Sequence, residues 1–383
     1  MAAAGTRPII LSSEERRDWL RLIRSDNVGP ITFHRLLNRF GSAAAALDAV
    51  PALARRGGAR AIRLAEAEDA EGELEALQRA GGHLIARCEA DYPEPLAHIE
   101  DAPPLIAVIG DATLLARPAV AVVGARNASI NGRRLAEEIA GGLGAADVVV
   151  VSGLARGIDA AAHRAAVATG TVAVMAGGVD IPYPPDNADL YAEIAVRGTL
   201  ISEIALGTEP QARHFPRRNR LISGLARGVV VVEAGARSGS LITARMALDQ
   251  GREVFAVPGS PLDPRARGPN GLLRDGAVLT ENAEDVLRVL AEGQARAPSG
   301  TDVHTQPLPP TDEKATDEPR ESALAEARRV LAEALSPTPV TVDEIVRTCH
   351  MSPAVVAAVL LEWELAGRLE RHAGNRVALL PAP

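Results

Sequence analysis

Ala119-Val-Ala-Val-Val-Gly-Ala-Arg-Asn-Ala-Ser129 is an uninterrupted apolar run that ends on a glycine and hands over to a short polar loop. A run with no polar alternation has no face to give to water, so it predicts a strand covered on both sides, as in a parallel sheet. Gly124 lets the backbone turn tightly, and Ser129 is a small hydroxyl residue at the expected start of a helix. The same grammar repeats along the chain. Val148–Val151 leads into Ser152-Gly-Leu-Ala-Arg-Gly-Ile-Asp159, and Val172–Met175 into Ala176-Gly-Gly-Val-Asp180. Val229–Val232 leads into Glu233-Ala-Gly-Ala-Arg-Ser-Gly-Ser240, and Val254–Val257 into Pro258-Gly259. Leu105–Ile109 and Thr199–Ile201 are further compact apolar runs, and alanine-rich amphipathic segments separate most of them. Strand–helix alternation of this kind predicts an α/β fold with a doubly wound, mostly parallel sheet.

Outward from this core the pattern changes on both sides. Residues 12–80 read as small and helical, with a start at Ser12-Ser-Glu-Glu15 and breaks at Asn27-Val-Gly-Pro30 and Gly41-Ser42. Helix, glycine turn, helix is the outline of a helix-hairpin-helix-like unit, which can offer backbone amides to a phosphate but is equally the outline of simple helical packing. Residues 294–320 hold five prolines among Ser, Thr, Asp and Gly, which predicts a flexible linker. Beyond it, Ala323–Leu335, Val342–Cys349 and Pro353–Ala366 read as helices and Arg368–Leu380 as a small hairpin, a winged-helix outline. The third of these helices carries no base from Ser352 to Ala366, so a protein-contact role is as open as a DNA-binding one. The expected domains are 1–81, 82–293, the linker 294–320, and 321–383.

Composition narrows the function classes. The chain has 383 residues, enough for two or three domains, and a net charge of −8 that argues against a wholly basic coating protein. Aromatics are only 2%, so recognition of a nucleic acid would lean on arginine and backbone amides. Lys314 is the single lysine. Cys88 and Cys349 stand far apart, with no CxxC spacing, so neither a disulfide framework nor a metal site is expected. No signal-peptide pattern and no bilayer-length apolar run is present, which makes a cytoplasmic protein without membrane insertion the expectation.

In an open parallel sheet, ligands bind beyond the carboxyl ends of the strands. Here those ends carry Gly124 and Arg126, Gly153, Arg156 and Gly157, Gly177, and the Ser238-Gly-Ser240 turn. Glycines admit a ligand to the backbone, and helix N-termini add free N–H groups and partial positive charge. Between two of the loops lies Phe215-Pro-Arg-Arg-Asn-Arg-Leu-Ile-Ser-Gly-Leu225, whose basic cluster has no acidic residue between Glu209 and Glu233 to offset it. Such a run is either a solvated loop or the charged wall of a phosphate site, with Asn219 fixing the loop as much as touching ligand. The first loop does not read GxGxxG, because Arg126 occupies the second glycine's place, so a dinucleotide cofactor is disfavoured. GxxxxGK[ST] is absent as well. No catalytic set emerges: Ser152 and Ser223 lack a histidine partner, and His163 beside Asp159 reads as a capped helix with a surface or core histidine before an acid–base pair. Glu203 and Glu233 end strands and are expected to orient arginines. The edge is built to bind anions, with no cofactor expected.

These motifs together resemble the DprA (Smf) family of DNA-processing proteins. The likeness rests on Gly124-Ala-Arg126, Ser152-Gly-Leu-Ala-Arg-Gly-Ile-Asp-Ala-Ala-Ala-His163, Phe215–Leu225, Ser238-Gly-Ser-Leu-Ile-Thr-Ala244, Gly251-Arg-Glu-Val-Phe-Ala-Val-Pro-Gly259 and Gly268-Pro-Asn-Gly-Leu-Leu-Arg-Asp-Gly-Ala277. It implies an extended Rossmann-like core flanked by a SAM-like or helix-hairpin-helix-like domain and a winged helix. It also implies a non-enzymatic recombination mediator that dimerises, binds and protects single-stranded DNA without sequence preference, and loads the RecA recombinase in natural transformation. On matching positions it nominates Arg126, Gly153, Gly157, Arg217, Asn219, Arg220, Ser238, Gly239, Ser240 and Thr243 as the DNA-facing set. The sequence departs from the pattern in its near absence of lysine and in Pro182 before Tyr183. The alternative is a nucleoside-monophosphate phosphoribohydrolase on a related fold, but Gly235-Ala-Arg-Ser-Gly-Ser is followed by no carboxylate until Asp249.

Overall fold

A computed structural model describes residues 10–296, 321–372 and 374–380 of the chain. They divide into two compact units, residues 71–296 with 10–13, and residues 14–70 with the described residues from 321 to 380. Most of the expected linker therefore lies outside the described residues.

In chain order the elements begin with α1 (Ser13–Arg24), α2 (Pro30–Phe40), α3 (Ala43–Arg56) and α4 (Ala67–Arg79). Next come β1 (Gly82–Ala86), α5 (Glu94–Ala97), β2 (Leu105–Gly110), β3 (Ala119–Val123), α6 (Ile130–Ala145), β4 (Val149–Ser152) and α7 (Ile158–Ala166). They continue with β5 (Thr171–Val174), α8 (Ala188–Arg197), β6 (Thr199–Ser202), α9 (His214–Leu225), β7 (Gly228–Val231), α10 (Gly239–Asp249) and β8 (Glu253–Ala256). The first unit closes with α11 (Arg267–Arg274), β9 (Val278–Leu279) and α12 (Ala283–Arg296). The rest are α13 (Glu321–Ala334), β10 (Val340–Thr341), α14 (Val342–Cys349), α15 (Pro353–Leu365), β11 (Leu369–His372) and β12 (Arg376–Leu379).

The large unit is a nine-stranded sheet in the order β1-β2-β6-β5-β4-β3-β7-β8-β9. From β6 to β9 every neighbouring pair is parallel, while β2 runs antiparallel to β6 and β1 antiparallel to β2. The expected strands are all present, each within a residue or two of its apolar run. The two edge strands carry no long apolar run, since β1 starts Gly82-His83 and β9 is two residues long. The Ala119–Val123 run splits by parity. Ala119, Ala121 and Val123 face one cluster, with Leu221, Ile222 and Leu225 of α9 and Ala244 and Ala247 of α10. Val120 and Val122 face another, with Ile139 and Leu143 of α6, Ile158 and Ala162 of α7, and Val286 of α12. Each buried valine is worth about 1.5–3 kcal/mol, so double coverage of this run is strongly favoured.

The chain leaves β3 toward β4, β5 and β6, then returns to place β7 on the other side of β3. The topological switch point thus lies between the carboxyl ends of β3 and β7.

The basic stretch 215–225 is not a loop. It forms helix α9, His214–Leu225, because Leu221, Ile222 and Leu225 return at helical spacing to the underside of the sheet. Similarly, α12 continues to Arg296, three residues into the expected linker.

In the other unit, Pro30 opens α2, Gly41 ends it in the left-handed region, and the Ser42 hydroxyl caps α3 by accepting from Ala45 N at 3.2 Å. Residues 321–380 give three helices and a sheet in the order β10-β12-β11. No described helix is long and apolar enough to cross a membrane.

Candidate nucleic-acid interface

A small cleft opens at the carboxyl ends of β3, β4 and β5, lined by Arg126, Gly153, Ala155, Arg156, Tyr183, Pro184 and Phe215. One wall is a cluster of a cation and two rings, the rings tilted 53° to each other. The Arg126 guanidinium lies 4.9 Å from the centre of the Phe215 ring, and the Tyr183 ring centre lies 5.8 Å from that of Phe215. Arg126 and Tyr183 are exposed and Phe215 is partly so. Arg156 stands on the rim, also exposed, with Asp186 at 3.9 Å.

The floor is the loop 153–157, held from below by buried polar groups. Arg218, buried on the first turns of α9, donates from Nη1 to the Val174 carbonyl at 2.6 Å. Its guanidinium lies directly under Gly153, where a Cβ would displace it from its place below the loop. Asp159 accepts from Gly153 N at 3.2 Å and Ala155 N at 3.4 Å. Burial pushes the Asp159 carboxyl up, opposed by the nearby Arg218 and by those two N–H groups. Burial likewise brings the Arg218 guanidinium down to about 10, opposed by Asp159, so it stays charged at neutral pH. Gly157 turns the chain into α7 at φ +80°, packed against the Ala125 and Arg126 carbonyls.

His163 is a core histidine. Its Nε2 accepts from Leu154 N at 3.3 Å, which leaves the proton on Nδ1 to donate to Thr171 Oγ1 at 2.7 Å. The Thr171 hydroxyl passes the bond on to the Val150 carbonyl at 2.8 Å. This chain holds Leu154 in its left-handed conformation, φ +53°. Burial, then the charges of Arg218 and Arg164, hold the imidazole down at about 3, so it is neutral. His163 and Asp159 both brace the loop; they do not face each other as an acid–base pair.

The remaining arginines of α9 part company. Arg217 is half exposed, with Nε on Glu203 Oε1 at 3.0 Å. Arg220 is buried between Glu203 and Asp101, with Nη1 on the Asp101 carbonyl at 2.6 Å and Nε on its carboxylate at 3.3 Å. Asn219 is buried too, and its Nδ2 donates to the Gly239 carbonyl at 3.3 Å, tying α9 to the start of α10. There the Ser238 hydroxyl caps α10, 2.7 Å from the Ser240 hydroxyl, while Thr243 is buried and Gly239 exposed. Gly177 is buried beside the Thr208 carbonyl, and its own carbonyl accepts from Ser202 Oγ at 2.7 Å.

At the switch point the helix end is already occupied. The Glu233 carboxylate accepts from Ser129 N at 2.8 Å and Ser129 Oγ at 2.6 Å, and lies against Gly132 on the first turn of α6. Glu233 was expected to orient an arginine; it sits instead where a Rossmann fold seats a phosphate. Gly124 packs against Ile158 beneath it. Among the described residues no group of three metal-binding side chains is assembled.

Of the residues nominated from sequence, Arg126, Gly153 and Arg156 line the cleft. Gly157 borders its floor through the Arg126 carbonyl, Arg217 follows Phe215 on α9 with its side chain on Glu203, and Gly124, Gly177, Asn219, Arg220 and the 238–243 turn are not among the lining residues. Tyr183, Phe215 and Arg218 were not nominated. The signal for the rings was their scarcity: the chain has four Phe, three Tyr and two Trp, and of these Phe215 lies between Arg213 and Arg217 while Tyr183 lies between two prolines that follow a strand-end glycine loop.

Comparison with known proteins agrees with this architecture along the whole chain. The family model described as DNA recombination-mediator protein A matches residues 83–291, the DprA-like N-terminal HHH domain residues 13–76, and the DprA winged helix domain residues 313–375. The chain belongs to the DprA family. DprA-family relatives include a putative DNA processing protein DprA of Mycobacterium tuberculosis, 39% identical over 84% of this chain and 82% of that protein. The DNA processing protein DprA of Streptococcus pneumoniae is 47% identical over 51% of this chain and 70% of its own length. Its X-ray structure matches with a TM-score of 0.61 at 35% identity, covering 73% of this chain and 98% of that one. DNA processing protein A of Helicobacter pylori, solved for its single-stranded DNA binding mode, matches with a TM-score of 0.51 at 28% identity over 55% of this chain and 96% of its own. DprA membership accounts for the three-part organisation and makes the chain one of a family of DNA-processing recombination mediators.

Proposed function

We propose that the 126–156–183–215 cleft binds single-stranded DNA without sequence preference, stacking a base on Phe215 and Tyr183 while Arg126, Arg156 and Arg217 meet the flanking phosphates. The observation that carries this is the cluster of Arg126, Phe215 and Tyr183 set at the carboxyl edge of the sheet, with the guanidinium over the Phe215 ring and the Tyr183 ring tilted against it. Every base has a π-face, so a ring platform with cations around it holds a strand whatever its sequence. The single-strand binding for which the Helicobacter pylori neighbour is described supports the same reading. The Ser238–Thr243 turn extends the path across β7, next to α9 through Asn219.

We read the edge as binding and not transforming its ligand. Its three inner carboxylates are each engaged: Asp159 holds the loop, Glu203 holds Arg217 and Arg220, and Glu233 caps α6. A phosphoribohydrolase would want one of them facing substrate. From family membership we further propose that the protein works in the cytoplasm as a homodimer, protects incoming single strands and loads the RecA recombinase during transformation.

The test is a titration of fluorescent single-stranded oligonucleotide at several salt concentrations. Phe215→Ala is expected to weaken binding by about 1–3 kcal/mol at every salt concentration. Arg126→Ala is expected to flatten the slope of log K against log salt by about 0.7 per lost phosphate contact. Unchanged affinity and slope in both variants would rule the cleft out, and release of free base from a nucleotide would revive the hydrolase.

A further inference from the structure

In a winged helix the element corresponding to α15 is the one that enters a major groove, presenting its N-terminal side chains to base edges. Here it reads Pro353-Ala-Val-Val-Ala-Ala-Val-Leu-Leu-Glu-Trp-Glu-Leu365, with no basic and no amide side chain. From Ala358 to Leu365 every residue except Glu364 is buried. The exposed positions, Pro353, Ala354 and Ala357, carry no hydrogen-bonding side chain, and the Ser352 hydroxyl is spent on Val355 N. Base edges are read by donors and acceptors, which this surface lacks.

The burial comes from two sides. Val356, Val359 and Trp363 share a core with Leu324 and Leu331 of α13 and Ile345 of α14, as the domain's own fold requires. The second cover is the N-terminal helices. Gly57, at the end of α3, lies so close to the Glu362 carbonyl that a Cβ would collide with it. Asn27 Nδ2 donates to the Leu365 carbonyl at 3.0 Å, and Arg368 donates to the Gly57 carbonyl at 3.2 Å. Glu364 takes Arg371 Nε at 2.9 Å, and Thr32 and Arg35 of α2 stand beside its half-buried carboxyl.

We infer that α15 is a two-sided docking ridge committed to this chain's own N-terminal helices, and that the winged helix does not read duplex DNA through it. Residues 14–70 and 321–380 form a single folded body, in which the groove-facing helix has become an internal wall.

Hydrogen exchange on the full chain tests this. Gly57→Leu is expected to speed exchange about tenfold or more in both α3 and α15 while the strands from β3 to β8 keep their protection. Arg368→Ala, a milder change, is expected to deprotect residues 365–368 together with the end of α3. Faster exchange confined to α3 in both variants would overturn the docking. In the unmodified protein, adding a short duplex is expected to leave exchange in 353–365 unchanged; new protection there would show that α15 does enter a groove.

Discussion

Arg217, Arg218 and Arg220 are near neighbours in sequence with three separate roles, because consecutive helical residues point about 100° apart. Arg217 reaches solvent, Arg218 lies under the cleft floor, and Arg220 fills a buried slot between Glu203 and Asp101. A charge-reversal pair at Arg217 and Arg220, natural to design from the basic run, would therefore confuse binding with folding. Arg220→Ala removes the buried partner of a buried carboxylate, a change that costs about 3–5 kcal/mol. Urea denaturation is expected to show that loss, and a shift under about 1 kcal/mol would mean Glu203 is held well enough by its other neighbours. The glutamates, Asp159 and His163 are equally hard to place from sequence, since nothing local says which cation or amide a strand-end carboxylate will meet.

At the scale of elements, the strand-end loops were legible because each follows an apolar run that can only be a buried strand. The conformation of 215–225 was less so. Its polar half hides a helical period that becomes visible only when Leu221, Ile222 and Leu225 have a sheet to pack on. The switch point adds a prediction of its own. Glu233 satisfies the N–H and hydroxyl of Ser129 and brings its own negative charge to the start of α6, leaving no seat for a ligand phosphate. In a Glu233→Ala variant, thermal unfolding is expected at lower temperature, by about 1.5–3 kcal/mol of lost charged hydrogen bonding. Inorganic phosphate is then expected to raise the midpoint in the variant and not in the parent. Equal phosphate responses would show that the carboxylate does not hold the seat.

For the molecule as a whole, a net charge of −8 and a basic cleft coexist because the cations lining the cleft, Arg126 and Arg156, are gathered from separate strand-end loops. Stability should also carry the mark of the buried imidazole. His163 titrates near 6.5 when unfolded and about 3 when folded, so its contribution is complete above pH 6.5 and is lost as pH falls toward 3. Through that window the unfolded state binds the extra proton, and stability falls by about 1.4 kcal/mol per pH unit from this group. Comparing denaturant midpoints across pH 6.5 to 3 in the parent and in His163→Gln is expected to show a slope smaller by one proton in the variant. Parallel slopes would mean the ring is protonated in the folded state.

The sequence by itself determined the doubly wound sheet, the glycine-rich edge and the three-part chain, because continuous apolar runs, helical periods and turn residues are local signals of burial. Only the tertiary structure decided which arginines face solvent, that Glu233 fills the phosphate seat, that Arg126 and Tyr183 both meet the Phe215 ring, and that α15 is covered on its second side. Those outcomes depend on contacts between distant segments, Asn27 and Leu365 being 338 residues apart, and no local pattern encodes which distant surface a side chain will meet.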